Sequence, residues 1–364
     1  MPDIFDYLTW RGDLSMDQVP LGPVDALVLT TMCYVQFRDL VPSGPERSVT
    51  LEQAAKNFLT LPKEERELRV RSRNDEELLK KLLDCPRFST LRLSSHVDRL
   101  EEASEMQFAA LAVHLGKQGT FLAYRGTDNT LVGWKEDFNM SFQDAVPAQW
   151  VARDYLEQCA GWFEGDLILG GHSKGGNLAV FAASMCCPQV RNRVKAIYNH
   201  DGPGFAELMM NSDGYRQLVS RIHTFIPQSS VVGMLLEHQE SYIVVKSRHI
   251  GVFQHDPYSW LVLGNDFLRL EDVTEGSRAL DQTLKSWIAG LSPKERGEIV
   301  DTVYDLLQTS DADRVQELLQ PKNIRSILRA VRREDEQSLR LVAESVGRLA
   351  KTAIQTVKDM KKEE

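Results

Sequence analysis

Marking the apolar and polar positions along the chain separates three textures. Up to about residue 100 the apolar residues recur at helical spacing. In LEQAAKNFL, Leu51, Ala54, Ala55, Phe58 and Leu59 share one face, and Thr50 followed by Gln53 supplies a capping box. The stretch KEERELRVRSRNDEE is dense in both charges and reads as a solvated helix or surface segment. From about 105 to 265 the period shortens. FAALAVHL and TFLAYRG predict two strands joined by the turn GKQG, and DLILGG, VKAIYNHD, RIHTFIP and SYIVVKS are further short β-rich runs. PAQWVARDYLEQCAGWF and NLAVFAASMCC, lying between them, read as helices. That alternation predicts an α/β fold with an open, mainly parallel sheet and helices on both faces. Beyond 265 the pattern is helical again. Ser292, Pro293 and Glu295 give an N-cap, a first-turn proline and a capping-box acid, and Ile299, Val300, Val303, Tyr304 and Leu307 form a stripe. A final helix through LRLVAESVGRLAKTAIQTV precedes the charged KDMKKEE. The expected organisation is a helical N-terminal region over 1–104 packing on the core, an α/β core over 105–265, and a C-terminal helical region over 266–364.

Composition narrows this picture modestly. With 364 residues, 42% hydrophobic and 26% charged, the chain has the make-up of a globular protein with a real core. Its net charge of −9 argues against a nucleic-acid-binding surface. The N-terminal MPDIFDYLTWRGDLSMDQ contains acids and no long apolar stretch, so it does not read as a secretory signal. No apolar run approaches the roughly 18 residues of a membrane span. The longest, VDALVLTTMCYVQF, is interrupted by Asp25, Thr30 and Thr31 and reads as a buried helix. The five cysteines are odd in number and lack metal-ligand spacing, which predicts reduced thiols and a cytoplasmic location. Cys186 and Cys187 are expected inside the helix after Ser173, packing as small apolar groups. No metal or organic cofactor is implied, and oligomeric state is not legible.

The chemistry concentrates in LILGGHSKGGNLAVFAA. Gly171-His172-Ser173-Lys174-Gly175 fits G-x-S-x-G between a predicted strand and a predicted helix, the setting of a nucleophile elbow. Side chains in place of Gly171 or Gly175 would clash as the chain reverses. The elbow exposes a strained serine at the sheet edge, and the helix aims its first N–H groups at the same spot. A second stretch, FLAYRGTDNTLVGWKEDFN, runs from a strand through Arg125-Gly126-Thr127 into a tryptophan-acid segment.

Together these stretches resemble the class 3 lipases, whose pattern is FRG(S/T), a W-x-x-D/E element and GHSLGG. GHSKGGN, NHDGPGF and QHDPYSW look most like an uncharacterised bacterial branch of lipase-like α/β-hydrolases. The resemblance covers about residues 105–265 and implies an α/β-hydrolase fold. It also implies that Thr127, with the backbone N–H of Lys174, forms the oxyanion hole. Lys174 stands where lipases commonly carry leucine. Its charge either favours an anionic substrate or points to solvent, and the second is expected.

A serine hydroxyl needs a base. Of the eight histidines, His255 begins His-Asp-Pro-Tyr, similar to the H-x-x-Y element of lipases, and follows the predicted core strands. His114 reads as a packing residue in a strand, and His172 as packing under the elbow. The lipase position for the acid falls in PQSSVVGML, which offers Ser229 and Ser230 instead. Asp201 is the substitute: it ends the strand after the elbow helix, and a neighbouring strand would bring it to the sheet edge that carries Ser173. Asp256, next to His255 in sequence, would need an awkward turn to reach that ring. The reading is a serine hydrolase of lipid-like or hydrophobic esters, with Ser173, His255 and Asp201 as its triad. The alternatives are an inert hydrolase fold serving as a binding module, and an acyltransferase or thioesterase using the same serine.

Overall fold

The computed structural model describes residues 1–310, 312, 317, 318, 320–331 and 336–363. The rest of the predicted C-terminal region, Glu364 included, lies outside the described residues. Among the described residues there are eleven strands: β1 (Val49–Thr50), β2 (Arg92–Glu101), β3 (Met106–His114), β4 (Thr120–Tyr124), β5 (Leu167–His172), β6 (Val194–His200), β7 (Ile222–Pro227), β8 (Tyr242–Val245), β9 (Val262–Leu263), β10 (Asp266–Phe267) and β11 (Arg269–Leu270). Nine of them form one mixed sheet in the order β1-β2-β3-β4-β5-β6-β7-β8-β11, and β9 and β10 make a separate pair.

The sheet corrects the expectation of a mainly parallel arrangement. Strands β4 to β8 are parallel, but β1 runs antiparallel to β2, β3 to β4 and β11 to β8. The parallel centre is where the apolar runs are continuous, because a strand covered on both faces has no polar side to alternate with. In the stretch 1–104, β1 and β2 join the helices that the pattern predicts there. Seven of the ten residues of β2 are polar, so strand alternation is hard to see in RLSSHVDRLE.

Two adjacent glycines show how closely both faces are covered. A Cβ on Gly170 would meet Thr30 of the helix Pro23–Met32 at 3.2 Å, whereas one on Gly171 would lie 2.0 Å from the carbonyl carbon of Gly175. Successive residues of β5 therefore look at different helices, one on each face. The N-terminal helices belong to the main core: Leu27, Phe58, Leu79, Phe121, Phe225 and Trp260 lie in one buried cluster. The ion pair of Arg87 with Asp25, 2.6 Å and fully buried, ties the first helices together with the Tyr7 hydroxyl at 2.7 Å.

Contacts divide the chain into two compact units. The first comprises Met1–Arg99, Phe108–Gly126 and Ala148–Val273. The second comprises Leu100–Gln107, Thr127–Pro147 and Thr274–Glu364 and is mainly helical. Within it, buried Lys135 pairs with Glu105 at 2.7 Å and Asp301 at 3.0 Å, over the ring of Tyr304. Both sequence-predicted capping boxes are present, Thr50 with Gln53 and Ser292 with Glu295. The cysteine pair departs from its expectation. The elbow helix ends at Met185, leaving Cys186 buried beyond it and Cys187 exposed.

Candidate active site

The elbow forms because three glycines let backbone approach backbone. β5 ends at His172, and the helix Lys174–Met185 starts at once. Ser173 between them has φ +59° and ψ −134°, a region that L residues rarely adopt. Its N–H donates to the His200 carbonyl at 2.9 Å, which holds the corner against the next strand. A Cβ on Gly175 would come within 2.2 Å of the Tyr124 carbonyl oxygen, and one on Gly126 within 3.1 Å of the Ser173 Cβ. The segment Tyr124–Gly126 thus passes directly against the elbow. Arg125 itself is anchored by a bidentate pair with Asp98, at 2.9 and 3.2 Å.

Asp201 stands in register with Ser173. His172 pairs with His200 across β5 and β6, and each strand continues into one further residue, Ser173 or Asp201. Asp201 also has positive φ, +53°, and is fully buried. Its N–H donates to the Phe225 carbonyl at 2.8 Å. The carboxylate accepts three bonds: from His255 Nδ1 at 2.6 Å on one oxygen, and from Ser230 Oγ at 2.5 Å and Gly233 N–H at 3.1 Å on the other. A carboxylate only accepts, so Nδ1 of His255 carries the proton and Nε2 is the basic nitrogen. Ser230 lies in the stretch where lipases place their acid; here the strand end of β7 supplies a donor, and β6 supplies the carboxylate.

His172 does more than pack under the turn. Its Nε2–H donates to the His255 carbonyl at 2.8 Å, and its Nδ1 accepts from the Tyr34 hydroxyl at 2.7 Å. The two imidazole rings lie 4.6 Å apart. Burial, reinforced by the neighbouring His255, holds the His172 pKa well below the usual histidine range, so the ring is neutral. Tyr34 is in turn covered by the Arg71 guanidinium 4.2 Å from its ring centre, and Arg71 lies 3.6 Å from the Asp256 carboxylate. Asp256 also accepts the Tyr258 N–H, capping the following turn. The neighbour of Ser173 therefore carries the backbone of the histidine bonded to Asp201.

Two sequence expectations change at the site. The Lys174 side chain is buried, not solvent-directed, because the elbow helix is enclosed along nearly its whole length. The Thr127 hydroxyl lies 2.6 and 2.7 Å from the two Asp137 carboxylate oxygens, so its single proton is committed there and its backbone N–H is the remaining donor. Sequence reasoning missed Tyr34, the bonding of His172, the bond of Ser230 to Asp201, and Asn177, whose amide donates to the carbonyls of Pro203 and Gly204 at 3.1 and 2.9 Å. The signal for Asn177 was present, one residue beyond Gly175-Gly176. Tyr34 had none, being 138 residues from the ring it meets.

A nine-stranded mixed sheet covered on both faces, with a serine corner in register with a buried acid that is bonded to a half-buried histidine, is compatible with the α/β-hydrolase class of architecture. The chain belongs to the Mbeg1-like family, a lipase-like family, whose pattern matches residues 82–305. A comparison with curated proteins finds no match. Among solved structures, the chain is similar to M37 lipase at 13% identity, covering 59% of this chain and 70% of that one, with a TM-score of 0.34.

Proposed function

We propose that the chain is a serine hydrolase cleaving carboxylic esters with hydrophobic, lipid-like acyl groups, akin to the class 3 lipases and a bacterial branch of lipase-like proteins. The observation that carries the reading is the 2.6 Å bond from His255 Nδ1 to buried Asp201, one residue beyond the strand register that carries Ser173. In this scheme Ser173 Oγ attacks the ester carbonyl and passes its proton to His255 Nε2. Asp201 accepts the Nδ1–H throughout and stabilises the imidazolium. The backbone N–H groups of Lys174 and Thr127 receive the oxyanion. The proton then goes from Nε2 to the departing alcohol, leaving an acyl-serine. Water attacks that acyl carbon with His255 again as base, releasing the carboxylic acid and restoring the Ser173 hydroxyl. The free thiols support a reducing, cytoplasmic setting.

An inert module would follow if the acid absent from the lipase position had no replacement; the bond from Ser230 to Asp201 supports a relocated acid instead. Fluorophosphonate labelling tests the proposal. Labelling of the wild type and none of Ser173→Ala is expected, and an unlabelled wild type overturns it. Product analysis with alcohol and thiol acceptors present then separates hydrolysis from acyl transfer.

A further inference from the structure

We propose that Glu240 is a positioning residue for the acid of the triad: through Thr224 and Asn199 it sets the corner that aims Asp201 at His255. Its effect on turnover rests on the hydrolase reading; the hydrogen-bonded chain does not. Glu240 has no part in the scheme of Ser173, His255 and Asp201, yet it is only 5% exposed and is met by donors on both oxygens. Thr224 Oγ1 donates to its Oε1 at 2.7 Å, His238 Nδ1 meets the same oxygen at 3.0 Å, and the Tyr215 hydroxyl donates to Oε2. Burial pushes the Glu240 pKa up, but the bonds from His238, Tyr215 and Thr224 outweigh it and hold the value at about 2, so the group is a carboxylate.

That charge gives the chain a direction. A carboxylate only accepts, so the single proton of the Thr224 hydroxyl points to Glu240 and its oxygen is left to accept. Asn199 faces Thr224 across β6 and β7, and its Nδ2 donates to that oxygen at 3.3 Å. With the amide nitrogen so engaged, Oδ1 of Asn199 turns the other way and accepts the Gly202 N–H at 3.0 Å. Thr224, Asn199 and Gly202 are all buried. A reversed Asn199 amide would set acceptor against acceptor at Thr224 and donor against donor at Gly202, which a buried site penalises heavily.

The last bond falls where the backbone is strained. Asp201 has φ +53°, and its own N–H donates to the Phe225 carbonyl, one residue beyond Thr224. The Gly202 N–H is the next along the chain, so two bonds clamp the corner before and after the acid. A Cβ on Gly202 would lie 2.5 Å from Asn199 Oδ1 and 2.6 Å from the Ser173 carbonyl oxygen. The peptide held by Asn199 is therefore wedged between the acid and the serine corner. Displacing it moves Asp201 relative to both Ser173 and His255, and small misplacements of this kind are costly in rate.

Thr224→Val keeps the shape, removes the hydroxyl and breaks the chain at its middle. It should lower kcat on a p-nitrophenyl ester about tenfold with KM unchanged, and Thr224→Ser should restore the rate. Tyr215→Phe removes another donor from the same carboxylate without touching the chain, so it should lower the melting temperature and leave kcat as it was. The far-downfield proton resonance of His255 Nδ1–H, identified by its loss in His255→Gln, reads the Asp201 geometry without turnover. It should move upfield in Thr224→Val and stay in place in Thr224→Ser and Tyr215→Phe. Should Thr224→Val fail to fold, Glu240→Gln, equal in size but uncharged, should show the same upfield shift with a smaller loss of kcat. A wild-type rate and resonance in whichever of these two variants folds overturns the inference. So does a loss of kcat in Tyr215→Phe equal to that in Thr224→Val, since Glu240 would then be merely structural. A wild type that fluorophosphonates do not label, but whose variants show these resonance changes, keeps the chain and overturns the hydrolase reading instead.

Discussion

At the scale of the residue, Asp201 joins an unusual backbone conformation to a demanding charge position. Its φ of +53° suits Asp or Asn and strains most other residues, which makes Asn the informative replacement. Asp201→Asn should keep the fold yet lower kcat by a factor on the order of 10⁴, the size known for the equivalent change in a serine protease. Asp256→Asn should cost far less, because that carboxylate serves Arg71 and the Tyr258 N–H. Initial rates on one ester, compared between variants of matched melting temperature, check both; a crippled Asp256→Asn beside a normal Asp201→Asn would reverse the assignment. Tyr34 acts one bond further out. Tyr34→Phe leaves Nδ1 of buried His172 without its donor and frees that ring to change tautomer. The expected loss is about tenfold in kcat with little change in KM, the worth of one hydrogen bond of about 1.4 kcal/mol. An equal loss in thermal stability with kcat intact would make Tyr34 merely structural.

At the scale of the element, the elbow and the helix before it make opposite demands on glycine. Gly175→Val should abolish soluble folding, since even its Cβ falls 2.2 Å from the Tyr124 carbonyl. Gly161, in the helix Pro147–Trp162, has nothing within 4 Å of an added Cβ, so Gly161→Ala should stabilise by roughly 0.5–1 kcal/mol. Thermal melts of the two proteins decide the contrast. The elements written in local signals were legible: capping boxes, the β3–β4 hairpin, the continuous apolar strands of the parallel centre, and the serine corner between Gly171 and Gly175. The position of Asp201, just past the end of β6, was legible too. What escaped depends on distant neighbours. Lys174 is buried because of what encloses its helix, and Tyr34 meets His172 across 138 residues. β2 was hidden by its mostly polar sequence, and Asp75, within a run read as solvated, is buried against the Tyr258 hydroxyl at 2.8 Å.

At the scale of the whole molecule, buried neutral histidines couple stability to acidity. Burial lowers His96 to about 4 and His200 to about 3 from 6.5, and His172 falls in the same direction. Below about pH 6.5 the unfolded chain takes up protons that the folded chain refuses, so their stabilisation is complete above that value and is lost on acidification. Each such group contributes a slope of about 1.4 kcal/mol per pH unit in the window between its two pKa values. The urea midpoint should therefore fall between about pH 7 and pH 5. A flat midpoint would show that these rings accept protons without unfolding. The long reach of the site's contacts has a different consequence, for synthesis. Asp75 meets Tyr258 across 183 residues, and the Val262 N–H donates to the Pro2 carbonyl. A ribosome thus extrudes the serine corner well before the segment bearing His255, and the first helices wait for the last strands before their partners exist. Non-local pairing of this kind slows folding. The nascent chain should accordingly stay inert towards fluorophosphonates until residues past 260 have emerged, acquiring its reactivity in one late step.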